Sequence, residues 1–304
     1  MITSESYRLL TENHRQRLLP VRPAVPRGVF MVEPVNFRLS GESAQDNVYM
    51  RMDSMADPDR ALVQYINLVE LIRNVGVPVK NFSGDPRTPE DVFPNNVFAT
   101  IPGRLIVGHM LHPNRQIETT RADIRRYFNQ MGYALFDLSA ENCIAELTGP
   151  MVIDRARGLG LCGMSGRVDQ AGLEAMHTAF DLKYTLKFDL VQGEYHANVV
   201  LSVLAGRALI MHADSFADPH VPHDLEALYE GQVMYLGLAE KNAFAANCIA
   251  LTEHDLFMSQ TAADALEPHN RALLDYWGFR LHTAELDEIE KAGGSLRCMV
   301  GEIF

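Results

Sequence analysis

Apolar residues in this chain fall into short runs paired across a turn, and each pair precedes a longer stretch with helical spacing. NVFATIPGRLIVGH from Asn96, ELTGPMVIDRARGLGLCG from Glu146, HANVVLSVLAGRALIMH from His196 and NCIALTEHDLFMSQ from Asn247 all have this form. CMVGEIF from Cys298 supplies the first half of another. The residues leading these runs are separated by 50 (96 to 146), 50 (146 to 196), 51 (196 to 247) and 51 positions (247 to 298). A fixed period of this size is the signature of a repeated supersecondary unit.

Each pair predicts a hairpin, and the stretch after it predicts a helix. In QIETTRADIRRYFNQM, the residues Ile117, Ile124, Tyr127, Phe128 and Met131 fall roughly on one helical face. VDQAGLEAMHTAF, DLEALYE and TAADALEPHNRALLDYW occupy the same slot later, with Pro268 expected to break or kink the last. A glycine then opens a third strand at Gly76, Gly132, Gly231 and Gly278, where a left-handed helix terminator is expected. The unit is ββαβ.

GVFMVEPVNF from Gly28 is a strand without a partner, followed by the helix RALVQYINLVELIRNVG. Joined to the unpaired strand after Cys298, it makes a fifth unit and closes a ring without free sheet edges. The predicted fold class is therefore α/β, a five-bladed ββαβ propeller with pseudo-five-fold symmetry. Residues 1–27 read as an N-terminal extension and 28–304 as one domain. In such a ring Asn96, Glu146, His196, Asn247 and Cys298 converge near the axis.

Composition narrows the partners. The chain has 304 residues, 39 acidic against 27 basic, for a net charge of −12. That balance argues against nucleic acid and against anionic membrane surfaces. The first 28 residues lack an apolar signal-peptide core, and no run is long enough to span a bilayer. Cys143, Cys162, Cys248 and Cys298 are far apart, without a CxxC pair, which gives neither a zinc spacing nor a disulfide framework. A reducing, cytoplasmic compartment is expected.

Cysteine, histidine and carboxylate supply a nucleophile, an acid/base and an orienting group. Singly, Cys298 reads as a core thiol, His196 as a strand-end histidine and Glu146 as a turn cap. Their common register across three units points instead to one site.

These residues resemble the guanidino-group-modifying superfamily of arginine deiminases, dihydrolases and amidinotransferases, whose pentein fold is a five-bladed ββαβ propeller. The likeness is closest to the amidinotransferase-like branch linked to citrulline utilisation. It runs from about Val32 to Phe304 through VEPVNF, DVFPNNVF, ELTGPMVIDR, SGRVD, YHANVV and GGSLRCMVGEIF. It implies a cysteine-dependent hydrolase with Cys298 as nucleophile, His196 as general acid/base and Glu146 beside them. It also implies that Arg167 binds a substrate carboxylate, that Asn96, Asn198, Asn95 and Phe93 form the substrate-binding wall, and that neither cofactor nor metal is needed.

Asn96 and Asn198 stand where deiminases carry aspartates that grip the guanidinium. Asparagine offers one acceptor and an NH2 donor instead of two charged acceptors. This favours a neutral ureido group, and so citrulline-type or dihydrolase chemistry on a small guanidino or ureido amino acid. An amidinotransferase or an arginine deiminase would use the same three residues, and a non-catalytic propeller would use none of them. The histidine pairs His109/His112 and His220/His223 read as solvated loops rather than metal ligands, since no carboxylate or cysteine stands in register. Lys241 and Asn242 fall on a rim segment, where a surface role is expected.

Overall fold

A computed structural model describes residues 2–3 and 18–304. Five small sheets surround an axis, and each repeats the same order. Phe98–Ile101 pairs antiparallel with Arg104–Val107, which pairs parallel with Ala134–Asp137. Met151–Asp154, Leu159–Met164 and Tyr184–Asp189 repeat the pattern. So do Leu201–Leu204, Ala208–Met211 and Val233–Tyr235, and then Ile249–Ala250, Asp255–Ser259 and Arg280–Ala284.

The fifth sheet joins distant parts of the sequence. Gly301–Ile303 pairs antiparallel with Gly28–Val32, which pairs parallel with Val79–Phe82. The chain is thus a closed five-bladed propeller.

In each blade the first strand is innermost. Neighbouring first strands are tied by Thr100 Oγ1, which donates to the Glu302 carbonyl at 2.9 Å, and by Ser202 Oγ, which donates to Cys248 O at 3.0 Å. Helices cover the outer faces. The longest, Pro58–Asn74, starts where Asp57 accepts from the Asp59 and Arg60 amides at 3.1 Å. It buries Tyr65, Leu68, Val69 and Ile72. Capping satisfies amides that the first turn would otherwise leave unpaired.

The helix expected through QIETTRADIRRYFNQM is interrupted. A short turn Pro113–Gln116 and a 3-10 segment Ile117–Thr120 precede the helix Ala122–Gln130. Ile117 and Met131 are consequently exposed, while Ile124 and Phe128 stay in the core. The break lets Arg115 and Glu118 turn inward. Gln260–Ala265 and Pro268–Tyr276 are separate helices, divided at the expected proline.

Gly76, Gly132, Gly231 and Gly278 all have positive φ, between 75° and 87°. In the blade without such a glycine, Asp181 takes the left-handed conformation at φ 50°. Aspartate tolerates this better than most residues.

Within the 1–27 stretch, Ile2–Thr3 adds a parallel strand beside Leu186 and Lys187. Farther on, the Val21 N–H donates to the Ala156 carbonyl at 2.9 Å, and Arg22 pairs with Asp181 at 3.0 Å. Residues 1 and 4–17 of that stretch lie outside the described residues. Among the described residues, no helix is long and apolar enough to cross a membrane.

Candidate active site

The convergent residues sit just before their strands, not on them. Asn96 and Cys298 belong to 3-10 turns, Pro94–Asn96 and Leu296–Met299, and His196 caps a third, Ala197–Val199. The strands themselves begin at Phe98, Gly301 and Leu201. The tight turn aims each side chain toward the axis before the pleat starts, which corrects the expectation that Cys298 begins its strand.

Glu146 is fully buried and organises the centre. Its Oε2 lies 2.8 Å from His196 Nε2, 3.1 Å from Arg167 Nη1 and 3.5 Å from Asn96 Nδ2. Its Oε1 accepts from the Leu111 amide at 3.1 Å. Burial opposes the charge, but Arg167 and His196 outweigh it and hold the carboxyl well below the usual range. His196 is buried too. Desolvation pushes its pKa below the ordinary value, and Arg167 and Arg115 add to this against the pull of Glu146.

Close backbone approach makes room for the imidazole. A Cβ on Gly149 would come within 2.6 Å of the His196 ring. The Tyr195 ring packs against it with centroids 4.4 Å apart, and Tyr195 Oη is tied to Gly293 O at 2.6 Å.

Cys298 is 5% exposed. Two carboxamides approach its sulfur, Asn247 Nδ2 at 3.3 Å and Asn198 Nδ2 at 3.7 Å. Burial raises the thiol pKa, and the Asn247 hydrogen bond is the largest effect opposing that rise.

Cys298, His196, Arg167, Asn96 and Phe93 all line one pocket. Asn95 does not, because its Nδ2 turns to Thr148 Oγ1 at 3.3 Å. Asn198 stands behind the sulfur instead, donating to the Thr148 carbonyl at 3.0 Å.

Arg167 is fully engaged. Its Nε and Nη2 form a fork on Asp46 at 2.6 and 2.7 Å, and Nη1 meets Glu146. These carboxylates keep its pKa above the ordinary value, although burial acts the other way.

Several pocket residues escape a sequence reading. Glu90 is buried and accepts from Ser43 Oγ at 2.5 Å and Asn114 Nδ2 at 3.1 Å; desolvation raises its pKa. Arg115 pairs with Glu118 at 2.6 Å and donates to Asn96 Oδ1 at 3.1 Å. The only signal for that pair is its i,i+3 spacing. Ser43, Asp46 and Asn47 come from a segment with no regular pattern.

The histidine pairs lie elsewhere. His109 Nδ1 bonds the Glu141 carbonyl at 2.8 Å, and His112 Nε2 bonds Asp46 at 2.9 Å. His220 and His223 lie in the helix His220–Leu228, not in the loop expected there. No cluster suited to a metal forms among the described residues. Lys241 pairs with Glu194 at 2.8 Å. All four cysteines are free and buried.

A closed five-bladed ββαβ ring, with a buried histidine–glutamate pair and a cysteine facing one pocket, defines a pentein of the guanidino-modifying type. The model of the family "N,N dimethylarginine dimethylhydrolase, eukaryotic" matches residues 33–304, and the chain belongs to that family of hydrolases. No curated protein matches the chain by sequence.

Among solved structures, the N-terminal domain of ArgZ bound to substrate is similar. ArgZ is an arginine dihydrolase from the ornithine-ammonia cycle in cyanobacteria. Identity is 18% over 90% of this chain and 97% of that one, with a TM-score of 0.78. A dimethylarginine dimethylaminohydrolase adduct with S-methyl-L-thiocitrulline matches at 17% identity, 91% and 100% coverage and a TM-score of 0.69. AgrE with ornithine and NAD+ matches at 20% identity and a TM-score of 0.79, over 91% of this chain and 39% of that one.

Proposed function

We propose that the protein is a cysteine-dependent hydrolase acting on the guanidino or ureido carbon of an arginine- or citrulline-like amino acid, with dihydrolase chemistry. Residues 28–304 form the catalytic unit and 1–27 an appendage to it. The observation that carries this reading is the placement of Cys298, ringed by carboxamide donors, and the Glu146-paired His196 on one pocket wall. Family membership and the arginine-dihydrolase neighbour support it.

In the mechanism, His196 takes the Cys298 proton and the thiolate attacks the guanidino carbon, forming a C–S bond. His196 then protonates the departing nitrogen as its C–N bond breaks. It next takes a proton from water, whose oxygen attacks the same carbon, and returns that proton to the sulfur as the C–S bond breaks. Repeated on the ureido carbon, the cycle expels a second ammonia and leaves a carbamate, which loses carbon dioxide to give the free amine.

Glu146 holds the imidazole in place throughout. Arg167, spent on Asp46 and Glu146, acts as a brace for Glu146 rather than as a carboxylate receptor.

The acceptor oxygen of Asn96 already receives the Arg115 guanidinium, whose positive charge disfavours a second cation at that atom. This is what favours a ureido stage. The family name favours a second reading, in which the substrate is a methylated arginine and an amine leaves in place of ammonia. Phe93 and Ala292 supply apolar wall for such methyl groups.

A release assay on arginine, citrulline, their N-acyl forms, agmatine and dimethylarginine separates the two, reading ammonia, methylamines and ornithine-type product together. Ornithine from citrulline supports the dihydrolase reading, and dimethylamine release without it supports the second. Full turnover by Cys298→Ser would remove both.

A further inference from the structure

Asn247 occupies the fourth of the five convergent positions, and the mechanism above gives it no part. Its side chain is wholly buried. Nδ2 lies 2.9 Å from the Asn198 main-chain oxygen and 3.3 Å from Cys298 Sγ. A carbonyl oxygen can only accept, so the atom facing it is the NH2 group. One of its hydrogens meets that carbonyl and the other is left for the sulfur.

The same reasoning fixes Asn198, whose Nδ2 is held by the Thr148 carbonyl at 3.0 Å and lies 3.7 Å from Sγ. Asn247 Oδ1, by contrast, is buried with no hydrogen-bond partner among the described residues.

Positive charge near the sulfur is largely neutralised. Arg297, on the cysteine's own turn, is bonded to Glu302 at 2.9 Å. Across the pocket Arg167 is held by Glu146 and Asp46, and Arg115 by Glu118. Tyr195 and His196, which lead into the blade two places round the ring, complete the titratable groups facing Cys298 on that side, and Glu90 lines the same pocket.

We propose that Asn247, with Asn198 as the weaker second donor, forms a neutral cradle for the Cys298 thiolate. Ionisation of the nucleophile then depends on the protein's own amide N–H groups and not on the positive charge of a bound substrate. The substrate class that benefits is the uncharged ureido compound, which brings no cation to the sulfur. This rests on the reading of Cys298 as the nucleophile.

The test is the rate of Cys298 alkylation by iodoacetamide in the ligand-free protein, followed across pH by mass spectrometry of the Cys298 peptide. Wild type is compared with Asn247→Ala and with Asn247→Asp, which keeps the shape and removes the donor. A thermal melt accompanies each variant. The midpoint of the alkylation profile should rise in both. At pH 7.5 the rate should be about tenfold lower in Asn247→Ala and lower still in Asn247→Asp, because a midpoint higher by about one leaves about a tenth of the thiolate.

A folded variant with an unshifted midpoint overturns the proposal. Failure of both variants to fold assigns Asn247 to the scaffold and overturns it equally. Alkylation involves no substrate, so a negative substrate panel would count against the proposed function and leave this result standing.

Discussion

Glu146 Oε2 and His196 Nε2 lie 2.8 Å apart in the buried centre of the ring, and this contact fixes which imidazole nitrogen can work. An ionised carboxylate only accepts, so Nε2 carries the hydrogen. Nδ1 has no hydrogen-bond partner among the described residues, and the ring lines the pocket. In the proposed mechanism Nδ1 would therefore be the nitrogen that exchanges protons with sulfur, leaving group and water.

The pH profile of kcat/KM follows from the two opposed shifts. His196 lies below its ordinary value through burial, and Cys298 lies above its own for the same reason. The reactive pair, thiolate with imidazolium, is then a minor form whose fraction is constant between the two titrations. A flat plateau is expected from about pH 6.5 to about pH 8.5, the ordinary values of the two groups, with limbs falling outside both. A narrow bell centred near neutrality, measured on any turned-over substrate, would contradict the shifts.

Stability should depend on acid through Glu146. Its folded pKa is depressed, so its contribution is complete above the unfolded value of about 4.3 and is lost as pH falls through the folded one. Glu146→Gln leaves Arg167 with only Asp46 and should cost about 3 kcal/mol, the scale for breaking a buried pair. Denaturant melts between pH 2 and pH 7 should show the variant less stable at neutrality and less sensitive to acid than wild type.

Asn96→Asp places a carboxylate beside Glu146 Oε2, now 3.5 Å from the Asn96 amide, while keeping the contact to Arg115. The added negative charge should favour cationic over neutral substrates. The ratio of kcat/KM for arginine to that for citrulline is expected to rise about tenfold, equivalent to about 1.4 kcal/mol. An unchanged ratio would mean that position 96 does not read substrate charge.

Asp46 ties an irregular loop across the pocket, with Arg167 on one side and His112 on the other. Asp46→Asn weakens the ion pair to Arg167 and the hydrogen bond to His112 without touching Cys298. KM should rise about tenfold with a smaller fall in kcat, the pattern of lost uniform binding. The melting temperature should change little, since the Asp46 side chain is 33% exposed.

The ring was legible because its signal is repeated. The fifty-residue spacing, the terminating glycines and the two unpaired strands all express the same unit, and the sheets follow it. Cys298, His196 and Glu146 share a register, so the sequence places them together.

The rest of the pocket has no such support. Asp46 and Ser43 reach it from an irregular loop, and Arg115 and Glu118 turn inward only because the expected helix breaks before Arg121. Asn95 shows the opposite failure. It is adjacent to Asn96 in sequence, but the 3-10 turn points its side chain to a different wall.

Ile303 pairs with Gly28, from opposite extremes of the sequence, and Cys298 lies on the turn that leads into this final strand. Contacts of such wide separation are formed late and slowly during folding, because the intervening chain must first be brought to order. Cys298, on the turn three residues before this strand, is therefore buried as the circle closes. An unfinished intermediate holds an exposed thiol with an ordinary pKa, whereas the closed ring buries the sulfur and raises that value, so loss of thiol accessibility becomes a clock for the last step of folding.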